Sequence, residues 1–176
     1  MKRYNIGMNI KSLKHIAFAD RRMAWVWLIV RLYLGWTWLL AGWGKVMNPA
    51  WTGSDAGVAV KGFLAGALKK TGGEHPDVQW WYQSLIQNIG VPAAPFVSQL
   101  IAWGELVVGV ALILGVLTGL AAFLGIFMNL NFLFAGTVSV NPQMLVLGLC
   151  LMFAWRIAGY YGVDRWLFAR LHRNMS

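Results

Sequence analysis

Four apolar runs, at about residues 24–43, 97–117, 119–138 and 143–161, limit what this chain can become more than any other feature. Each is about 20 residues long, enough to cross roughly 30 Å of hydrocarbon at about 1.5 Å per residue. Of the 176 residues, 59% are hydrophobic and only 12% are charged, about half the charged share of an ordinary soluble domain. The runs leave no length for a separate soluble domain. The fold expected is therefore an all-α membrane protein, a four-transmembrane-helix bundle forming one integral membrane domain over residues 1–176.

The net charge of +9 is distributed as a membrane protein distributes it. Lys2, Arg3, Lys11, Lys14, Arg21 and Arg22 precede the first run, and Arg165, Arg170 and Arg173 follow the last. Between runs one and two, Lys45, Lys61, Lys69 and Lys70 are offset by Asp55, Glu74 and Asp77. By the positive-inside rule both termini are expected to be cytoplasmic, and the basic ends read as contacts to anionic membrane lipids rather than to nucleic acid. The first run starts near residue 24 and is too long for a secretory h-region, so no signal peptide is expected. Cys150 is the single cysteine, which excludes an intramolecular disulfide or a dithiol relay. Electron transfer would then need a bound carrier or another subunit.

Residues 9–22 place Ile10, Leu13, Ile16 and Ala17 on one face, opposite lysine and arginine, as in a helix lying on the cytoplasmic surface. The segment at about 44–96 is an unusually long extracytoplasmic connection, and it is not featureless. Residues 57–68 are apolar but too short to span, which suggests a re-entrant or interfacial helix. Asp77 is placed to cap a second helix, in which Trp81, Leu85 and Ile89 recur every four residues against Gln79, Gln83 and Gln87. Such a helix can cover a pocket between the spans. Val116–Gly119 and Ser139–Pro142 read as tight turns. An Ala-Gly…Asn-Pro pattern closes run one ("AGWGKVMNP") and run three ("AGTVSVNP"), which suggests two parallel repeats with a shared vestibule. Chance recurrence of Gly and Pro in membrane helices is the competing explanation.

Ionisable groups inside spans are costly and point to function. Arg31 lies about eight residues into run one, and Glu105 about eight residues into run two from the other side. Their depths would differ by about 6 Å, which an arginine side chain can bridge, so an Arg31–Glu105 pair is feasible. It would serve catalysis or simply join two helices. Ser98, Ala102, Glu105 and Gly109 form a small and polar stripe, so this face is expected to meet protein. Trp103 adds an aromatic surface nearby, on another side of the helix. In run three Asn129 shares a face with Gly125 and Gly136, whereas Asn131 lies about 200° around. Asn129 is therefore the interior candidate, for ligand binding or for interhelical hydrogen bonding. Arg156, nearer the cytoplasmic face, can snorkel there. Many of the 11 tryptophans are expected as interfacial anchors, while Trp43, Trp51 and Trp103 are candidates to line a slot for a planar ring. Lys45 beside Trp43 can attract an anion. No metal set emerges, since His15, His75 and His172 are scattered outside the spans.

The blocks "LGWTWLLAGWGKVMNPAW", "WGELVVGVALILGVLTGLAA", "LFAGTVSVNP" and "AWRIAGYYGVDR", in that order, resemble the DoxX/DoxD family of small four-helix membrane proteins. The long first connection and the last block are similar to DoxD, the large subunit of thiosulfate:quinone oxidoreductase. That resemblance implies a multi-pass protein of the prokaryotic cytoplasmic (inner) membrane that oxidises thiosulfate to tetrathionate and passes electrons to quinone. It also implies a small DoxA-like partner, nothing like which is fused here. Residues matching the family blocks include Trp43, Lys45, Asn48, Trp51, Glu105, Asn141, Arg156 and Asp164. Three readings follow: a quinone-linked oxidoreductase subunit with Glu105 and Arg31 handling protons and charge; a non-catalytic membrane scaffold for a redox enzyme; and a small-molecule transporter, for which a homodimer would supply further spans.

Overall fold

The computed structural model describes residue 16 and residues 18–174; it is 76% helical, with no strand among the described residues. The surface helix expected over 9–22 falls largely outside these residues, as do Lys2, Arg3, Lys11 and Lys14. A short 3-10 turn at Arg21–Met23 is capped by Asp20, whose carboxylate accepts from the Arg22 N–H at 2.8 Å. It leads into α1 (Ala24–Val46), then α2 (Pro49–Thr52), α3 (Val58–Leu68) and α4 (Trp80–Leu85). The chain continues directly from α4 into a π-turn at Ile86–Gly90, followed by α5 (Ala94–Leu114), α6 (Thr118–Phe134), α7 (Asn141–Phe153), α8 (Trp155–Ala158) and α9 (Asp164–Asn174).

Helix boundaries follow ordinary backbone chemistry. Prolines open α2, α5 and α7, where a missing N–H costs nothing. Gly115, at φ +67°, ends α5 in the left-handed region that other residues avoid. The central contact is α1 against α5, backbone to backbone. A Cβ on Gly42 would overlap the Leu106 backbone, and one on Gly109 would overlap that of Leu39. Ser98, Ala102, Glu105 and Gly109 are all buried on this face, as their stripe predicts. α6 pairs with α7, and Trp27, Leu34, Trp38, Leu112, Met144 and Leu151 fill the space between the pairs. A second core, built on Val60, Leu64, Tyr82, Ile86 and Ala94, packs α3 and α4 against the end of the bundle where α5 begins.

α1, with 23 residues, is about 35 Å long and α5, with 21, about 32 Å. These two are long and apolar enough to cross a membrane. Their outer faces suit that role: Phe96, Leu100 and Val107 on α5 are 60–70% exposed, far more apolar surface in one strip than a soluble protein leaves to water. The third run forms α6, of 17 residues. The fourth is not one continuous helix over 143–161. It starts at Asn141, breaks at Ala154 and resumes as α8, and the break lays Trp155 Cβ against Gly119 of α6.

One expectation for the long connection needs correction. Asp77 does not cap a helix, because α4 begins at Trp80 with Gln79 as an N-cap that makes no side-chain bond. The recurrence of Trp81, Leu85 and Ile89 borders a cleft through Leu85 and Ile89 rather than filling the core. Those residues are 41–59% exposed, while Val78, Tyr82 and Ile86, on the adjacent face, are buried. Trp81 lies edge-on to Phe134 at 5.0 Å. Tyr82 can be buried because its hydroxyl donates to the Asn131 carbonyl at 2.9 Å.

Candidate functional site

The polar groups of the bundle fall into two clusters, one around Glu105 in its upper half and one at its lower end. The upper end, where α1 finishes and α5 starts, holds an ion pair. Lys45 Nζ donates to Glu105 Oε2 at 2.5 Å, with the Lys45 side chain 21% exposed and that of Glu105 1%. Gly42, one turn before Lys45, allows α1 to come this close to the turn that carries Glu105. The Lys45 ammonium also lies 5.2 Å from the centre of the Trp51 ring. Trp51 is held by its own backbone: Ser98 Oγ donates to its carbonyl at 2.7 Å, and Gln99 Nε2 donates to the Thr52 carbonyl at 3.0 Å. Asn48, as expected, shapes the preceding turn by accepting from the Ala50 N–H at 3.0 Å. The result is a buried carboxylate, a cation that reaches the surface, and an aromatic platform beneath the cation.

Asn129 belongs to the interior, as expected, being 1% exposed with Oδ1 lacking a protein partner. The antiparallel course of α5 and α6 brings it near the level of Glu105: Gly104 faces Met128, and Gly125 faces Val108.

Arg31 is at the opposite, lower end, so the feasible Arg31–Glu105 pair does not form. The register of α1 on α5 is the reason. Gly35 meets Gly109 and Ile113, whereas Gly42 meets Glu105 and Leu106. Arg31 is eleven residues before Gly42, about 16 Å along the helix. It is buried at 1% exposure, with Nη2 donating to the Tyr161 carbonyl at 3.1 Å and Nε and Nη1 lacking protein partners. The Gly115 and Gly162 backbones press against its guanidinium, and a Cβ on either would collide with Nη1. Asp164 supplies the negative charge felt by Arg31, and both its oxygens are used: they accept from the N–H groups of Leu117 at 2.6 Å and Thr118 at 2.8 Å. Asp164 thereby caps α6 from 46 residues away. The Asp164 N–H in turn donates to the Gly115 carbonyl at 2.9 Å. Arg31 and Asp164 join α1, the α5–α6 turn and the C-terminal segment into one knot.

Between α3, α4, the π-turn, α5 and α6 lies a cleft of about 420 Å³. Its walls are almost wholly apolar, with Phe63, Ile86, Val97, Gly104 and Phe132 among them; Tyr82 and Asn131 supply its polar groups. The Asn131 amide is committed, donating to the Phe127 carbonyl at 2.8 Å and accepting from Tyr82 at 3.2 Å. Burial pushes the Tyr82 phenol up to about 12, so it keeps its proton and remains a donor. The expected covering helix is present, since Leu85 and Ile89 border the cleft.

Of the candidates read from sequence, the structure unites Lys45, Glu105 and Trp51, with Asn129 near their level. Trp43 and Trp103 face outward at 55% and 49% exposure, and Trp103 Nε1 donates to Gln99 Oε1 at 3.2 Å. Arg156 is exposed at the lower end, stacked on Trp155 at 5.4 Å. Tyr82 and Gly104 were not singled out by sequence, and Asn131, set aside there in favour of Asn129, is the asparagine that lines the cleft. The Asn48-Pro49 and Asn141-Pro142 turns each open a helix, yet among the described residues no hydrogen bond links them. No cluster of three or more potential metal ligands occurs among the described residues.

Comparison with curated proteins and with solved structures finds no match. Residues 26–138, which run from the first turn of α1 to just past the end of α6 and include both walls of the cleft, match the DoxX family model. The chain belongs to the DoxX family, whose members are generally membrane-associated.

Proposed function

We propose that this chain is the membrane subunit of a quinone-linked oxidoreductase, with thiosulfate as the electron donor. In this reading α1, α5, α6 and α7–α8 are the four spans, and the lower end faces the cytoplasm of a prokaryotic inner membrane. The basic residues Arg21, Arg22, Arg165 and Arg170 at that end support this orientation.

The observation that carries the reading is the apolar cleft with one protonated hydroxyl, one of whose wall residues, Gly104, precedes the buried Glu105 in α5. At about 420 Å³ it falls in the range of small-molecule sites, roughly 300–1,000 Å³. Its walls suit a hydrophobic ring and the start of an isoprenoid tail, and a ring carbonyl would compete with Asn131 for the one hydroxyl proton of Tyr82. A quinone bound there accepts two electrons and two protons, while two thiosulfates joined as tetrathionate release two electrons. Gly104 lines the cleft, and Glu105 follows it in α5 with its carboxylate turned to Lys45; in this reading Glu105 relays the protons. Lys45 holds Glu105 from the outer side and presents positive charge to an approaching anion. A small DoxA-like subunit would complete the enzyme.

The test is thiosulfate-dependent reduction of a short-chain quinone analogue by the purified protein. Glu105→Gln is expected to lower turnover sharply while leaving the fold intact. Gly104→Leu should obstruct the cleft and raise KM for the analogue, whereas Gly104→Ala, whose Cβ would lie 3.6 Å from Met128 Sδ, should behave as wild type. Full activity in both Glu105→Gln and Gly104→Leu would remove the assignment. A second reading, a non-catalytic membrane partner of a redox enzyme, draws on the lower end, where Arg31 and Asp164 act as structural ties. It requires no turnover by the isolated chain and copurification of a soluble oxidoreductase.

A further inference from the structure

At the lower end of the bundle, two arginines from opposite ends of the chain converge on one tyrosine. The Arg165 guanidinium lies 4.9 Å from the Tyr160 ring centre, and that of Arg21 lies 5.7 Å from the same ring. Arg165 begins a groove of about 510 Å³ along α9 that it shares with Trp166, Ala169 and Arg170. Arg165 with Ala169, and Trp166 with Arg170, are neighbours one turn apart. Nothing described neutralises these cations. Among the described residues the ion pair within 4.0 Å is Lys45–Glu105, at the other end of the molecule. The two carboxylates close by are committed to backbone: Asp164 is buried on the N–H groups of Leu117 and Thr118, and Asp20 caps Arg22. With no carboxylate within 4.0 Å of them among the described residues, the guanidinium donors of Arg21 and Arg165 are left for an anion. The surrounding surface indicates which anion. Trp166 is 76% exposed and Tyr161 53%, as amphipathic rings are when they sit among lipid headgroups.

We propose that Arg21 and Arg165, arranged on Tyr160 and continued by Arg170, form a seat for the phosphodiester headgroup of an anionic phospholipid. The seat requires the chain to be in a bilayer and is independent of its redox reading. Binding there would join the start of α1 to the start of α9 through the lipid, adding to the Arg31–Asp164 knot above it.

Native mass spectrometry of the full chain in detergent tests this, with phosphatidylglycerol, phosphatidylcholine and inorganic phosphate as probes. Phosphatidylglycerol should be retained at least about tenfold better than phosphatidylcholine, and millimolar phosphate should not displace it. Taking about fivefold for each arginine near an anionic headgroup, the double variant Arg21→Gln/Arg165→Gln should weaken phosphatidylglycerol binding about 25-fold. Lys61→Gln, on the exposed face of α3, should not. Each single arginine variant should lose about fivefold, which keeps the test decisive if the double variant fails to fold. Equal retention of the two lipids, or unaltered binding by the folded arginine variants, overturns the proposal. Displacement by phosphate would mean a free anion is the ligand, and the lipid assignment would fall.

Discussion

Removing either partner of the Lys45–Glu105 pair should have unequal consequences, and the inequality follows from where each group sits. The Glu105 side chain is 1% exposed, whereas Lys45 keeps 21% of its surface in contact with solvent. Lys45→Met strands a buried carboxylate. Breaking a buried pair in this way costs about 3–5 kcal/mol, and the solvent edge of this one places it near 3. Glu105→Leu leaves an ammonium that can swing outward and still rest on Trp51, so a cost of about 1–2 kcal/mol is expected. Lys45→Met/Glu105→Leu exchanges the pair for apolar groups of similar volume and should return to within about 1 kcal/mol of wild type. The double-mutant cycle then gives a coupling of about 3–5 kcal/mol. Equilibrium unfolding in mixed micelles, followed by tryptophan fluorescence, measures all four corners. The reasoning is refuted if Lys45→Met is no worse than Glu105→Leu, or if the coupling falls below about 1 kcal/mol. Activity should separate from stability: the double variant, though stable, lacks the carboxylate and should not turn over.

Three further outcomes can be measured in the same way. Tyr82, raised to about 12 from an unfolded value near 10, holds its proton more tightly in the folded state, so its contribution is complete below pH 10 and is lost as pH rises towards 12. Wild type should therefore lose about 2–3 kcal/mol more than Tyr82→Phe between pH 10 and 12; parallel curves would show that the phenol is not buried. Asp164→Asn should cost about 2–3 kcal/mol, because its one amide oxygen replaces the charged acceptor at one backbone N–H while its NH2, a donor, faces the other; faster hydrogen exchange at Leu117 and Thr118 should accompany it. Gly115→Ala should cost at least about 2 kcal/mol, from its φ of +67° and the overlap of the new Cβ with Arg31. Gly62→Ala in α3, where a Cβ meets open space, should instead stabilise by about 0.5 kcal/mol, and comparable effects at the two sites would contradict the packing of the knot.

What could be read from the sequence was whatever depends on neighbours along the chain. Helical runs, the buried Ser98-to-Gly109 stripe, the helix at 57–68 and the burial of Glu105 and Asn129 all follow from spacing on a single helix. The partner of Glu105 did not, because it depends on register. Hydropathy fixes the ends of a helix only to a few residues, at about 1.5 Å each, and the close Gly42–Leu106 contact decided the outcome for Lys45 over Arg31. Likewise, Trp81-Leu85-Ile89 is the more apolar stripe, yet Tyr82 is buried because a carbonyl 49 residues away accepts its hydroxyl. One distant contact did leave a local trace. The residue before α6 is Leu117, in the left-handed region at φ +47° with no side-chain cap, so the first N–H groups of that helix need an acceptor from elsewhere. A carboxylate in a glycine-flanked segment can come close enough to supply it, and "GYYGVD" places Asp164 in such a segment. An uncapped helix start inside an apolar chain therefore predicts a remote acidic residue. Here that logic assigns Asp164 to architecture and leaves Glu105, whose partner is a cation open to the surface, as the carboxylate with a role to explain.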